Sequence, residues 1–204
     1  MKLRRLLPLL LLTGLAGAIA GRFVAHMLTQ RTLTLQGGTA LPEPRALEPF
    51  LLRDTAGRAF ANEALRGHPT LLYFGFTSCP DVCPATLAML RDLRRQTLPA
   101  GLQLLFVTVD SEHDTPAVLT QYLATFSDQI IGLRAAPGAL APLLRNLDAF
   151  AGRKQLPGGQ QAFDHSATLY LLDARGRLAA VFTPPFSATA IGADLRTLAG
   201  EAAL

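Results

Sequence analysis

Two apolar runs, TLLYFGF over residues 70–76 and LQLLFVTV over residues 102–109, bracket a stretch whose leucines recur at helical spacing. Each run is short, apolar and aromatic or β-branched, which reads as a strand buried in a sheet. Between them, residues 84–98 set Leu87, Leu90 and the apolar positions of 93–98 against Arg91, Arg94 and Arg95, an amphipathic helix. Strand, helix and strand in that order make a βαβ unit, and everything else in the chain must be arranged around it.

The flanking segments fill in the plan. Residues 50–60 (FLLRDTAGRAF) alternate about a Thr-Ala-Gly turn and predict a hairpin. Asp114, Thr115 and Pro116 open a helix over 115–126, with proline in the first turn. A short strand over 130–133 and a helix over 137–147 follow, then a Gly/Pro/Gln loop over 151–163. Residues 167–172 (ATLYLL) and 178–182 (LAAVF) flank a turn at 173–176 as a second hairpin, and 187–198 close the chain as a helix. Internal repeats are absent. Half of the 204 residues are apolar, enough for one well-cored domain and too few for two large ones. The expected fold class is α/β: a single thioredoxin-like domain over 49–204 with a mixed central sheet and helices on both faces.

Ahead of it lie a segment (1–28) and a polar, proline-bearing linker (29–48) that suits a tether. In the N-terminal segment Lys2, Arg4 and Arg5 precede an uncharged run over 6–21, and apolar residues resume after Arg22 as far as Leu28. Counted through residue 28, with Arg22 reaching to the interface, the run matches the roughly 20 residues a membrane span needs. The expectation is an uncleaved N-terminal membrane anchor. The second reading is a cleaved signal peptide, for which Ala16, Ala18 and Ala20 offer small-x-small sites. Both readings hold the cations inside and send the body out of the cytoplasm. The expected place is the bacterial inner membrane, single-pass, with the domain in the periplasm or otherwise outside the cytoplasm. The net charge is +4, but residues 1–31 hold five cations and no acid, leaving 14 basic against 15 acidic residues beyond them. No basic stripe remains for a nucleic-acid surface.

The only two cysteines stand in FTSCPDVCPATL, each followed by proline, between the first buried strand and the helix. Open α/β sheets place their sites at such carboxyl strand ends. Pro80 and Pro84 bias Cys79 and Cys83 towards extended backbone. Pro84 fits a first helical position, which would put Cys83 at the N-cap, where free N–H groups and the helix dipole favour thiolate. A thiolate serves a metal ligand and a redox nucleophile equally. A structural disulfide would close too short a loop to contribute much stability. The spacing has one residue more than the C-x-x-C of thiol–disulfide exchange, and soft thiolates together with imidazole suit copper. Of the four histidines, His26 and His68 read as bystanders, and His113 as a helix-capping or solvated side chain on the site edge. His165 enters the ATLYLL strand, which the thioredoxin-like plan sets beside the cysteine loop; it is either a ligand or a loop histidine bonded to Asp164 or backbone.

YFGFTSCPDVCPATL, VTVDSEHDTPAVLTQYL and DHSATLYLLD, in this order, closely resemble the Sco/SenC copper proteins that help assemble cytochrome c oxidase. The likeness covers most of residues 45–204 and includes the N-terminal anchor. It implies that Cys79, Cys83 and His165 bind a copper ion, Cu(I) or Cu(II). It also implies delivery to, or thiol maintenance of, the binuclear copper centre of cytochrome c oxidase subunit II. Many relatives carry His in place of Ser78, Pro in place of Ser111 and Arg in place of His113; none of these removes a ligand. Relatives keep an acid at Asp110, which implies a hydrogen-bonding partner for the site, and Asp164 either orients the imidazole or caps the loop. The expected function is that of a non-enzymatic metallochaperone. The alternative is a membrane-anchored thiol–disulfide oxidoreductase acting on specific exported cysteines. Ala167 stands where such enzymes typically place a cis-proline, which argues against a general exchanger.

Overall fold

The computed structural model of the chain describes Gly21, residues 33–155, residues 161–201 and Leu204. The chain falls into two units, Met1–Leu33 and Thr34–Leu204, and the second contains all of the sheet structure among the described residues. The expected anchor (1–28) lies outside the described residues save for Gly21. Among the described residues no helix is long and apolar enough to cross a membrane.

In chain order the strands and helices are β1 (Gly38–Ala46), β2 (Leu51–Asp54), β3 (Ala59–Ala61), β4 (Thr70–Gly75), α1 (Val82–Leu93) and β5 (Gln103–Thr108). Then come α2 (Pro116–Ala124), β6 (Ile130–Arg134), α3 (Ala141–Asn146), β7 (Ala151–Gln155) and β8 (Gln161–His165). The chain closes with β9 (Leu169–Leu172), β10 (Arg177–Phe182) and α4 (Ala188–Gly200). Eight strands form one mixed sheet in the order β1-β10-β9-β4-β5-β6-β2-β3, and β7 and β8 pair separately.

All six residues of β4 are buried, as a strand covered on both faces requires. It runs parallel to β5, and β5 parallel to β6, while β9 lies antiparallel on its other side. Alternation along these strands divides the core. Leu72, Phe74, Leu105, Val107 and Leu133 pack with Leu143 and Leu147 of the α3 region. Tyr73, Gly75, Phe106 and Gly132 face the opposite side, where α1 and α2 lie. A Cβ at Gly132 would stand 2.8 Å from Leu123, so the glycine sets how closely α2 approaches β6. Thr115 caps α2 by accepting from the Val118 N–H, with Pro116 in the first turn as expected.

The linker expected over 29–48 is corrected from residue 38 onward, because β1 pairs antiparallel with β10. Prolines 42 and 44 suggested a tether, but an edge strand tolerates proline, and the register shifts between Ala40 and Arg45, where they fall. The loop expected over 151–163 is likewise corrected, since its two arms form the β7–β8 hairpin with Ala151 opposite His165. The helix expected from Pro84 starts at Val82 and ends at Leu93, where three-residue-spaced bonds (Arg95 N–H to Asp92, Gln96 N–H to Leu93) tighten the last turn.

One buried carboxylate ties the cysteine loop to the sheet. Asp114 accepts from the Thr77 backbone N–H at 3.1 Å, from the Thr77 hydroxyl at 2.5 Å, and from the Thr108 hydroxyl at the end of β5. Replacing Asp114 by Ala would leave the buried Thr108 hydroxyl and the half-buried Thr77 donors without this acceptor. The expected loss is about 2–3 kcal/mol of stability in urea unfolding, with faster amide exchange over residues 77–83.

Candidate metal centre

The two sulfurs are placed by the junction between β4 and α1. Past Gly75 the chain turns, and the Cys79 N–H donates to the Phe76 carbonyl at 3.2 Å. The Cys83 N–H, in the first turn of α1, then donates to Cys79 Sγ at 3.4 Å. Both cysteines are free thiols; Cys83 is wholly buried and Cys79 is 9% exposed. Room for the Cys83 sulfur exists because residue 75 has no side chain. A Cβ there would lie 3.1 Å from Cys83 Sγ and 2.7 Å from the Phe106 ring.

The imidazole arrives from the other direction, on the last residue of β8. His165 Nε2 lies 3.6 Å from Cys83 Sγ, and Nδ1 lies 3.1 Å from the Ser166 carbonyl oxygen. A carbonyl only accepts, so Nδ1 carries the proton and the Nε2 lone pair faces the sulfur. Edge-on contacts fix the ring: Tyr73 at 6.1 Å between centroids and Phe76 at 5.9 Å. Phe163, also on β8, packs on Phe76 at 5.5 Å and secures the hairpin to the cysteine loop.

One donor atom each from Cys79, Cys83 and His165 therefore lies within 4.8 Å of the others, the only such cluster of His, Cys, Asp and Glu among the described residues. Three ligands around one ion at bond lengths of about 2.0–2.3 Å stand roughly 3.5–4 Å apart, so small side-chain adjustments close the set on a metal. Two sulfurs and one imidazole are soft donors. Next to the cysteine loop lies a cleft of about 490 Å³, lined by Phe76, Ser78, Asp110, His113, Arg153 and Phe163 among others.

Electrostatics depart from expectation at Cys83. The helix begins at Val82, so the residue sits within the first turn rather than at the N-cap. Burial, with the neighbouring Cys79, pushes its thiol up to about 12. Desolvation here outweighs the helix terminus. The Tyr73 hydroxyl, itself pushed up by burial, points at the same sulfur from 4.0 Å. Tyr122 is likewise raised by burial and by its proximity to both cysteines, and its hydroxyl is buried without a hydrogen-bond partner.

The two acids anticipated as partners of the ligands do other work. Asp110 is buried and receives the His113 imidazole at 2.9 Å; this ion pair raises the His113 pKa. Asp164 is exposed on the other face of β8 from His165, and the Ser166 carbonyl holds the position expected for it. His113 stays outside the cluster. His68 bonds the Gly101 carbonyl at a turn, and His26 lies outside the described residues. Asp114 was read from the sequence only as part of a helix start, and Tyr73, Gly75, Phe163 and Ser166 were not singled out. Of these, only Gly75 left a signal, as a glycine inside a bulky strand.

The SCO1/SenC family profile matches residues 39–200. An SCO2-like protein of Rickettsia prowazekii is 35% identical over 133 residues, which are 63% of this chain and 65% of that protein, just under two thirds of its length. The mitochondrial SCO2 homolog of Bos taurus is 34% identical over 197 residues, 92% of this chain and 73% of that protein. Among solved structures, Bradyrhizobium japonicum ScoI with copper bound superposes with a TM-score of 0.67 at 33% identity, covering 74% of this chain and 98% of that one.

The raised Cys83 thiol makes a stability prediction. Its pKa is near 9.0 unfolded and about 12 folded, so the folded state holds a proton that the unfolded state gives up. That contribution is complete below pH 9 and is lost as pH rises towards 12. Thermal unfolding of the reduced, metal-free chain should show stability falling from about pH 9, below the onset of tyrosine ionisation. In Cys83→Ala the fall should begin only above about pH 10. An unchanged profile would place the thiol in a solvated setting.

Proposed function

The chain belongs to the SCO1/SenC family, and from that footing we propose that it carries copper between Cys79, Cys83 and His165 and hands it to an exported acceptor. The observation that supports this reading is the convergence of two thiols and an imidazole lone pair within 4.8 Å at the end of a central strand. Copper is the cargo, a soft ion suited to these donors in either oxidation state. His165 enters the set already in the right tautomer. Cys83 must release a proton to serve as a thiolate, so loading liberates protons and strengthens with pH below the thiol pKa. Release proceeds as acceptor thiolates enter through the cleft beside the cysteine loop and replace the chain's own donors one by one. Oxidation of Cys79 and Cys83 to a disulfide would remove two of the three donors and stop loading.

The acceptor in this proposal is the binuclear copper centre of cytochrome c oxidase subunit II. The domain works on the periplasmic side of a bacterial inner membrane, held by the N-terminal segment. The family resemblance supports the acceptor; the cations ahead of the apolar run support the anchor. A second reading, reduction of the acceptor's cysteines, is favoured by the two free thiols at a strand–helix junction, one of them accepting a backbone N–H.

Anaerobic titration of the reduced full chain in detergent should give one copper per chain. In His165→Ala the affinity should drop by at least roughly tenfold, since even partners beyond the ligands matter that much. If His165→Ala kept wild-type affinity while Cys79→Ser and Cys83→Ser lost it, the imidazole would not be a ligand.

Mixing the loaded chain with copper-free subunit II separates the two readings. The proposal expects metal to move to subunit II; reduction of a subunit II disulfide without metal movement would replace delivery by thiol maintenance.

A further inference from the structure

The cleft beside the cysteine loop shares two of its walls, Glu112 and Arg153, with a second cavity of about 480 Å³. That cavity is cationic on one side and apolar on the other. Arg53 of β2 and Arg134 of β6 both line it, and they are direct cross-strand partners in the antiparallel ladder. Like charges placed opposite each other destabilise a sheet pair. Among the described residues neither arginine forms an ion pair, and their acceptors are backbone carbonyls alone. Asp54 is held by Arg58, and Glu112 by Arg153, the third guanidinium of the cavity. Arg53 donates to the Gly57 carbonyl at 2.9 Å and Arg134 to the Ser111 carbonyl at 2.5 Å. The Arg134 Nε is buried with no hydrogen-bond partner. Val109 and Leu140 supply apolar wall.

We propose that this cavity is a docking pocket for a carboxylate side chain borne on an apolar stretch of a partner protein. Planar guanidinium donors match a carboxylate, and a bound one would relieve the opposed arginine charges. The apolar wall suits a carboxylate attached to a protein rather than a free anion. Because the Glu112–Arg153 pair is a wall common to this pocket and the cleft that Ser78 lines, a partner anchored here has its neighbouring residues beside the cysteine loop. The partner's identity as the copper acceptor rests on the function proposed above; the pocket itself does not.

The test follows the anisotropy of a fluorescein-labelled, end-capped Gly-Leu-Glu-Leu-Gly peptide on the full chain in detergent, beside the same peptide with Gln for Glu. The acidic peptide should bind, and more weakly as salt is raised. Arg53→Gln and Arg134→Gln should each weaken it by about tenfold or more, as loss of a charged hydrogen bond implies. Arg53 is exposed, so its variant tests the pocket even if Arg134→Gln fails to fold. Equal binding of the two peptides, or undiminished binding by Arg53→Gln, overturns the pocket. Displacement by free propionate at the peptide's own concentration assigns the cavity to small carboxylates and overturns the docking role. The Cys79→Ser/Cys83→Ser double variant should lose copper and keep the peptide, which separates a failure of the metal reading from a failure of this one. Arg53→Gln should keep copper uptake but slow transfer to subunit II; undiminished transfer overturns the acceptor as the partner.

Discussion

The site depends on how closely α1 can approach the end of β4. At that point the strand carries glycine, and the space a side chain would fill is taken by the Cys83 sulfur and the edge of Phe106. The approach seats Cys83 out of solvent. It also directs an N–H from the first helical turn at Cys79, and sets both sulfurs where the βαβ unit ends its first strand. Asp114 anchors the same loop from below through Thr77 and Thr108. The sulfur half of the centre is thus a property of the main sheet.

The imidazole half is built differently. His165 belongs to a two-stranded hairpin that, among the described residues, makes no ladder with the eight-stranded sheet, and aromatic packing across Tyr73, Phe76 and Phe163 holds it at the sulfurs. A pre-set tautomer makes His165 ready to coordinate, whereas a buried, protonated Cys83 must give up a proton first. The sulfurs are thus mounted on the main sheet and the imidazole on a separate hairpin.

Much of this was legible in the sequence, for identifiable reasons. Buried strands over 70–76 and 102–109 show as apolar runs because both faces are covered, and Thr115–Pro116 announces α2 because capping chemistry is local. Cys79, Cys83 and His165 could be grouped because the resemblance links segments far apart in the chain. What failed was decided by tertiary contact. Two prolines hid β1, since a sheet edge forgives them only when β10 lies alongside. A Gly/Pro/Gln composition hid β7 and β8, whose pairing is with each other. Asp164 was the obvious neighbour for the imidazole, but strand alternation turns it away and leaves a backbone carbonyl in its place. Asp110 went to His113 instead of the ligands. At Cys83, helix position argued for thiolate and burial reversed the sign.

The central claim is that two sulfurs and one imidazole nitrogen close on a single copper ion. X-ray absorption at the copper edge tests it most directly, on the reduced full chain loaded with one equivalent. The account predicts two sulfur scatterers at about 2.2–2.3 Å and one nitrogen near 2.0 Å, with the nitrogen contribution lost in His165→Ala. A coordination shell of nitrogen and oxygen alone, or a spectrum that His165→Ala leaves unchanged, would contradict it.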